Sequence, residues 1–220
     1  MVRAPDSPCD GLPVPSCGVR RLELSVAEPE LSVDFFAGVL GWTVIAEPGG
    51  SFSGFVGDRL AARVVAGDAG WHVVFGDAGA RGLRLNSSVG SGRVLHGPWA
   101  PPPRHGEPCW VELVSAEFGF WERELGWSVS DRVFSVSRQG ESRVVAGSSS
   151  VGALADGWGV FFAVDDVGAA CARVSELDGE VVSSPSSVSS LGVVAAISGP
   201  KGGSCWLLER PAGWGGAQGV

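Results

Sequence analysis

Arg21-Leu22-Glu23-Leu24-Ser25-Val26 alternates polar and apolar residues, the pattern of a strand with one buried face. Leu22, Leu24 and Val26 make the apolar face; Arg21, Glu23 and Ser25 make the other. Leu31, Phe35 and Val39 then recur at near-helical spacing, with Pro29 in the first turn and Gly41 as the stop. Residues 42–47, 52–57 and 60–66 predict three short strands. The order of this first unit is β-α-β-β-β.

The unit returns along the chain. Leu40-Gly41-Trp42-Thr43-Val44 reappears as Leu125-Gly126-Trp127-Ser128-Val129, and Gly70-Trp71-His72-Val73-Val74-Phe75 as Gly157-Trp158-Gly159-Val160-Phe161-Phe162. Arg63-Val64-Val65-Ala66-Gly67 returns unchanged from Arg143 to Gly147, which makes Arg63 and Arg143 equivalent. Duplicated units packed together predict a cleft between them.

The second unit, opening at Trp71, is truncated: only Ala78 to Leu85 can be helix, and Arg93-Val94-Leu95-His96 is the candidate last strand. Four prolines between Trp99 and Pro108 mark a linker. The third unit opens at Cys109, and its helix is about one turn shorter, because Glu112 to Gly126 is a shorter span than Glu23 to Gly41. In the fourth, Val160 to Val164 is a strand and Asp165 or Asp166 caps a helix. Val167, Cys171, Val174 and Leu177 form its apolar stripe, and Gly179 closes it. Val181-Val182, Val193 to Ile197 and Cys205 to Glu209 complete its strands, with Gly199 to Gly203 as a hairpin. The expected organisation is a loose leader over 1–18, an N-terminal domain over 19–98, a linker over 99–108, a C-terminal domain over 109–210 and a frayed tail over 211–220.

Composition narrows the function. The 220 residues carry a formal charge of −8, which argues against a nucleic-acid surface. No apolar run reaches a membrane span, and the leader has no secretory pattern. The five cysteines fit no zinc spacing and no CxxC motif, so a reduced, cytoplasmic protein is expected. No GxSxG elbow, P-loop or dinucleotide fingerprint occurs. Nine tryptophans without a tyrosine suit an apolar core, with a few left to line a ligand site.

The run from Leu24 to Trp42, LSVAEPELSVDFFAGVLGW, resembles the opening of vicinal oxygen chelate proteins. Phe161-Phe162-Ala163-Val164-Asp165-Asp166 with Gly199-Pro200-Lys201-Gly202-Gly203 resembles the close of such a module. That superfamily includes glyoxalase I, bleomycin- and fosfomycin-resistance proteins and extradiol dioxygenases, and the resemblance covers residues 19–210. It implies an α+β fold of tandem paired βαβββ modules, here with the second truncated, whose mixed sheets curl into a cup. In the enzymes of the superfamily, His and Glu from first and last strands hold a divalent metal in that cup.

The same alignment tests each ligand position. The first-strand positions fall on Arg21, His72, Trp110 and Gly159; the last-strand positions fall near Arg63 and on His96 and Trp206. Arg has no free lone pair, and Trp and Gly offer no ligand. No metal and no cofactor are therefore expected. A cup carrying Arg21, Arg63, His72 and His96 is cationic and suits a carboxylate, enolate, phenolate or phosphate.

The leading expectation is a metal-independent enzyme of specialised metabolism, antibiotic biosynthesis included. It would isomerise, cyclise or eliminate on an apolar, aromatic or polyketide-like metabolite. Glu23, Glu112 or His72 would move the proton; Arg21, Arg63, Arg143 and His96 would bind charge; Trp110, Trp158 and Trp206 would stack on rings. Alternatives stay open: an antibiotic-sequestering binder, a lyase or dioxygenase with residual metal at His72 and His96, or a degenerate scaffold. Equally, the histidines can be merely accommodated on strands, His105 merely solvated in the linker, and the arginines and glutamates merely paired with each other. No nucleic acid or membrane partner is expected, and the chain would be a monomer or a homodimer.

Overall fold

The computed structural model describes residues 17–68, 70–77, 81–115, 117–148, 157–188, 191–209 and 214. The first unit is β1 (Val19–Val26), α1 (Pro29–Leu40), β2 (Thr43–Glu47), β3 (Ser51–Val56) and β4 (Arg59–Ala66). The second has β5 (Gly70–Asp77), β6 (Arg81–Gly82) and β7 (Ser87–Ser91). The third is β8 (Pro108–Val114), α2 (Phe118–Leu125), β9 (Ser128–Ser130), β10 (Val133–Arg138) and β11 (Glu141–Ser148). The fourth is β12 (Gly157–Val164), α3 (Val167–Glu176), β13 (Glu180–Val188), β14 (Gly192–Gly199) and β15 (Gly202–Glu209).

Units one and two form a seven-stranded sheet, in the order β2-β3-β4-β1-β5-β7-β6. Units three and four form an eight-stranded sheet, in the order β13-β14-β15-β12-β8-β11-β10-β9. In each sheet the first strands of two units meet antiparallel, and parallel pairs flank that junction. The architecture is α+β, two mixed sheets of paired βαβββ units with few helices.

Local chemistry explains the helices. Gly41 and Gly126 cap α1 and α2 in the left-handed conformation, at φ 68° and 67°, which glycine adopts without strain. The Asp166 side chain accepts from the Ala169 amide at 2.8 Å and starts α3. α1 has 12 residues and α2 has 8, the missing turn that the spacing predicts.

The second unit departs from expectation. Among the described residues between β5 and β7 there is a two-residue strand and a run of bends, and no helix; residues 78–80 lie outside the description. Its last strand is Ser87–Ser91, parallel to β5, and 93–95 is irregular.

The sheets pack through their apolar faces. Trp71 and Phe75 share a face with Leu22 and Leu24, and Trp158 and Phe162 share one with Val160 and Leu113. Trp42 and Trp71 meet Phe162 at 5.6 and 5.4 Å between ring centres, and Phe75 meets Trp158 at 5.0 Å. These rings are buried, so the seam between the halves is packed where they meet. Each sheet therefore turns its other face outward. Cys109, Cys171 and Cys205 are buried thiols with no disulfide. No described helix is long and apolar enough to cross a membrane.

Candidate functional site

The outer face of the N-terminal sheet is polar because the period-two pattern of β1 puts Arg21 and Glu23 there. Register does the rest. Glu23 lies opposite Arg63 of β4 on one side and opposite His72 of β5 on the other. Directly paired residues have Cβ atoms about 5 Å apart, so the three side chains are neighbours. Arg21 Nε stands 3.5 Å from Glu23 Oε2, and both side chains are about a quarter to a third exposed, 31% and 23%. That contact is an ion pair without hydrogen-bond geometry: Arg21 Nε is buried and has no hydrogen-bond partner among the described atoms. Arg63 Nη2 donates to Ser51 Oγ at 3.0 Å, which fixes one edge of its guanidinium.

His72 Nε2 and Ser88 Oγ of β7 are 2.8 Å apart. Burial pushes the His72 pKa below the usual histidine value; the Glu23 carboxylate partly opposes this and Arg21 adds to it. The imidazole is therefore neutral at neutral pH, with a ring nitrogen able to accept a proton. The sequence gives no signal for Ser88 or Ser51, since neither lies in an apolar pattern. Arg20 is likewise missed: a Cβ at Gly90 or Gly92 would lie 3.5 or 2.8 Å from its guanidinium, so Arg20 lies along β7.

The C-terminal sheet has the same outer face with different chemistry. Glu112 is paired with Gly159 of β12 and with Gly147 of β11. Trp110 Nε1 donates to Glu112 Oε1 at 3.3 Å. Burial raises the Glu112 pKa, and the Trp110 hydrogen bond and nearby Arg132 charge oppose that. Trp206 stacks on Phe161 with centres 5.6 Å apart and planes 11° apart. Trp214, from the tail expected to fray, covers this face. It is 3% exposed, its amide donates to Cys109 O at 3.0 Å and its indole to Val145 O at 2.9 Å, and its ring lies 6.2 Å from Trp110.

Three of the expected site residues stand elsewhere. His96 is buried away from the outer face, because the second unit ends its sheet with β7 and not with 93–96. The His96 backbone bridges Val19, its Nε2 meets Leu60 O at 2.8 Å, and burial holds its pKa at about 4. Trp158 points into the seam, 7% exposed, against Trp121 and Phe75. Arg143 is not the counterpart of Arg63: Glu23 faces Arg63, whereas Glu112 faces Gly147. Arg143 instead donates to Pro98 O at 2.5 Å and Glu141 at 2.9 Å, and lies 5.2 Å from the Trp99 ring. It staples the linker. His105 stands in the linker with Nδ1 accepting from the Asp165 amide at 3.2 Å.

The donors available do not suit a divalent ion. Among the described residues no three of His, Cys, Asp and Glu gather in a metal-holding group. The N-terminal face sets guanidinium groups beside His72 and Glu23, and fixed cations at contact distance oppose a second cation. The C-terminal face offers Glu112 among indoles and glycines.

Comparison with curated proteins by sequence finds no match. Solved structures do match. One is the 2,2',3-trihydroxybiphenyl 1,2-dioxygenase of Sphingomonas wittichii, with TM-score 0.60 and 12% identity, covering 92% of this chain and 93% of that one. A second is the Mn(II)-bound glyoxalase of Novosphingobium aromaticivorans, at 0.60 and 10%, covering 91% and 85%. A third is an extradiol ring-cleaving dioxygenase of B. fuscum, at 0.60 and 13%, covering 95% and 76%. At such identities the likeness is one of fold. The family model of the Glyoxalase/Bleomycin resistance protein/Dioxygenase superfamily matches residues 18–206, which takes in units one to four. The chain belongs to the glyoxalase/bleomycin resistance protein/dioxygenase superfamily.

Proposed function

We propose that this protein is a metal-independent acid–base enzyme acting on a small organic molecule with an acidic C–H beside a carbonyl. The observation that carries the reading is the grouping of a neutral His72 with Glu23, Arg21 and Arg63 on one half-buried sheet face. His72 takes the proton from carbon, and the electron pair moves onto the carbonyl oxygen as an enolate. Arg21, whose buried Nε lacks a hydrogen-bond partner, and Arg63 hold that oxyanion. Returning the proton to another carbon gives isomerisation; attack of the enolate carbon on a second carbonyl of the same molecule, whose oxygen then takes the proton from His72, closes a ring; expelling a β-substituent, which leaves with the proton, gives elimination. Ser88 orients the imidazole through its 2.8 Å contact. A positioned base of this kind contributes about 10²–10⁴-fold.

The aromatic part of the expected substrate has less support. Trp110 and Trp158 are buried, and Trp206 is already stacked. The polar N-terminal face favours a compact, oxygenated substrate.

The test is deuterium uptake from D2O, by NMR, at carbons beside the carbonyl in a panel of β-dicarbonyl and β,γ-unsaturated ketones, with the protein first stripped by chelator. Exchange that survives stripping and is lost in His72→Gln supports the reading. Tight binding without exchange favours a sequestering protein instead. Exchange that returns only with added metal overturns metal independence.

A further inference from the structure

A second cationic site lies away from both outer faces. The linker folds back against the β3–β4 hairpin and the segment after β7, and a cleft of about 370 Å³ lies between them. Arg59, Arg93 and Arg104 line it. Leu95, Pro101 and Pro102 supply apolar walls, and Asp58 stands at its rim, 90% exposed. The chain has 16 basic residues and a net charge of −8, so three arginines in one small cleft run against the charge of the whole molecule.

Two of these arginines are locked from behind. Glu107 is fully buried, 0% exposed, beneath them. Its Oε1 accepts from Arg104 Nε and Nη2 at 2.9 and 2.7 Å. Its Oε2 accepts from Arg59 Nη2 and, at 2.8 Å, from the Arg104 amide. Arg59 also donates to Pro101 O and Pro102 O at 3.0 and 2.9 Å, and Arg104 to Val56 O at 2.6 Å. A buried carboxylate with four donors holds both guanidinium groups in fixed planes. Arg93 is different. It is exposed, and no hydrogen bond or ion pair engages it among the described residues.

The charges give the ligand. Three guanidinium groups against Glu107 and Asp58 leave one positive charge over. The volume suits a small molecule, and carboxylates match the fork of arginine. We propose that this cleft binds a small organic carboxylate carrying a compact ring or branched alkyl group. Its carboxylate pairs with Arg93, and its apolar body lies on Leu95, Pro101 and Pro102. The site is independent of the His72 chemistry, and nothing in its argument uses the outer face.

The test is titration of the whole chain with benzoate, cyclohexanecarboxylate and inorganic phosphate, read by calorimetry and by saturation-transfer NMR. Millimolar or tighter binding of both carboxylates, with phosphate weaker, is expected. Arg93→Gln weakens carboxylate binding about tenfold or more, the loss of one charge-assisted contact. Arg84→Gln, a substitution at an exposed arginine outside the cleft, and His72→Gln leave it unchanged. Circular dichroism confirms that each variant is folded; Arg93 is exposed. Equal binding by wild type and Arg93→Gln overturns the proposal. So does binding lost in His72→Gln, phosphate binding as tightly as benzoate, or no saturation in the millimolar range.

Discussion

Removing the Glu107 carboxylate should destabilise the protein far more than a typical single substitution. Glu107 is 0% exposed and Arg59 is 12% exposed, so their pair is nearly dry. Glu107→Ala leaves the Arg59 guanidinium buried with two carbonyls but no anion, a loss of about 3–5 kcal/mol for a broken buried pair. Arg104 is 46% exposed and regains water, so its share is discounted to at most about 1 kcal/mol. The Arg104 amide also loses its acceptor. The net expectation is at least about 3 kcal/mol, equivalent to a fall of at least roughly 6–12 °C in Tm for a chain of this size. Glu107→Gln keeps the shape and two acceptor lone pairs and should cost about half as much. Urea unfolding followed by circular dichroism measures both. The backbone at this point also joins the halves, since Ala163 N donates to Glu107 O at 2.9 Å and Trp42 Nε1 to Gly106 O at 2.7 Å. Loosening should therefore appear in the indole N–H signal of Trp42. A change under about 0.5 kcal/mol in Glu107→Ala would refute the reasoning, because it would mean that Arg59 finds water or another anion at once.

The other predictions are as follows. Proton exchange on a substrate should fall about 10²–10⁴-fold in His72→Gln with little change in KM, and its pH profile should hold its plateau below the ordinary histidine range before falling in acid, because burial lowers the His72 pKa. Ser88→Ala should move that inflection while leaving the fold intact, as NMR titration of the imidazole would report. Trp214→Ala should uncover Trp110 and Glu112; the Glu112 carboxyl, now raised by burial, should titrate closer to an ordinary glutamate by carbon NMR, and an unchanged titration counts against the docked indole. His96 is held at about 4, below its unfolded value near 6.5, so the unfolded chain binds the extra proton. Stability should then be full above about pH 6.5 and fall by about 3 kcal/mol as pH drops toward 4, a slope that His96→Gln should flatten in denaturation curves.

How far the sequence carries depends on where side-chain periodicity is strong. β1, α1, α3, β12, β14 and β15 are legible because each buries a run of apolar residues, and Gly41 ends α1 with a turn; β13, which buries none of its residues, is marked only by Val181-Val182. β7 is not, since Ser87-Ser88-Val89-Gly90-Ser91 has neither the propensity nor the pattern of a strand. Its five residues become one because β5 offers an unpaired edge for them to join. His96 comes after this strand, so it bridges Val19 and meets Leu60 O instead of standing on the outer face. Arg63 and Arg143 stand differently for a subtler reason. The two pentapeptides are identical, yet their registers against the first strands differ by four residues, about 13 Å along a strand. A shift by an even number keeps every side chain on its own face, so alternation cannot reveal it. Trp214 stands alone among glycines and carries no periodic signal at all.

The two outer faces explain each other. At the three positions around the central glutamate, one half carries Arg21, Arg63 and His72, and the other Trp110, Gly147 and Gly159. Gly147 leaves little room for a side chain, and Gly159 lets Trp206 lie close. A Cβ at Gly147 would lie 3.2 Å from Trp110 Nε1 and 3.1 Å from Glu112 Cγ, and one at Gly159 would meet Trp206 at 3.7 Å. Small residues there admit large rings, and Trp214 packs beside Trp110 on that face. Glu112 is left desolvated and hydrogen-bonded by an indole, a state suited to a structural role. The N-terminal face keeps its charges half in water, with Arg21 beside Glu23 and His72 beside Ser88. One duplicated scaffold thus carries two different faces, aromatic rings with glycines on one and arginines with a histidine and a glutamate on the other.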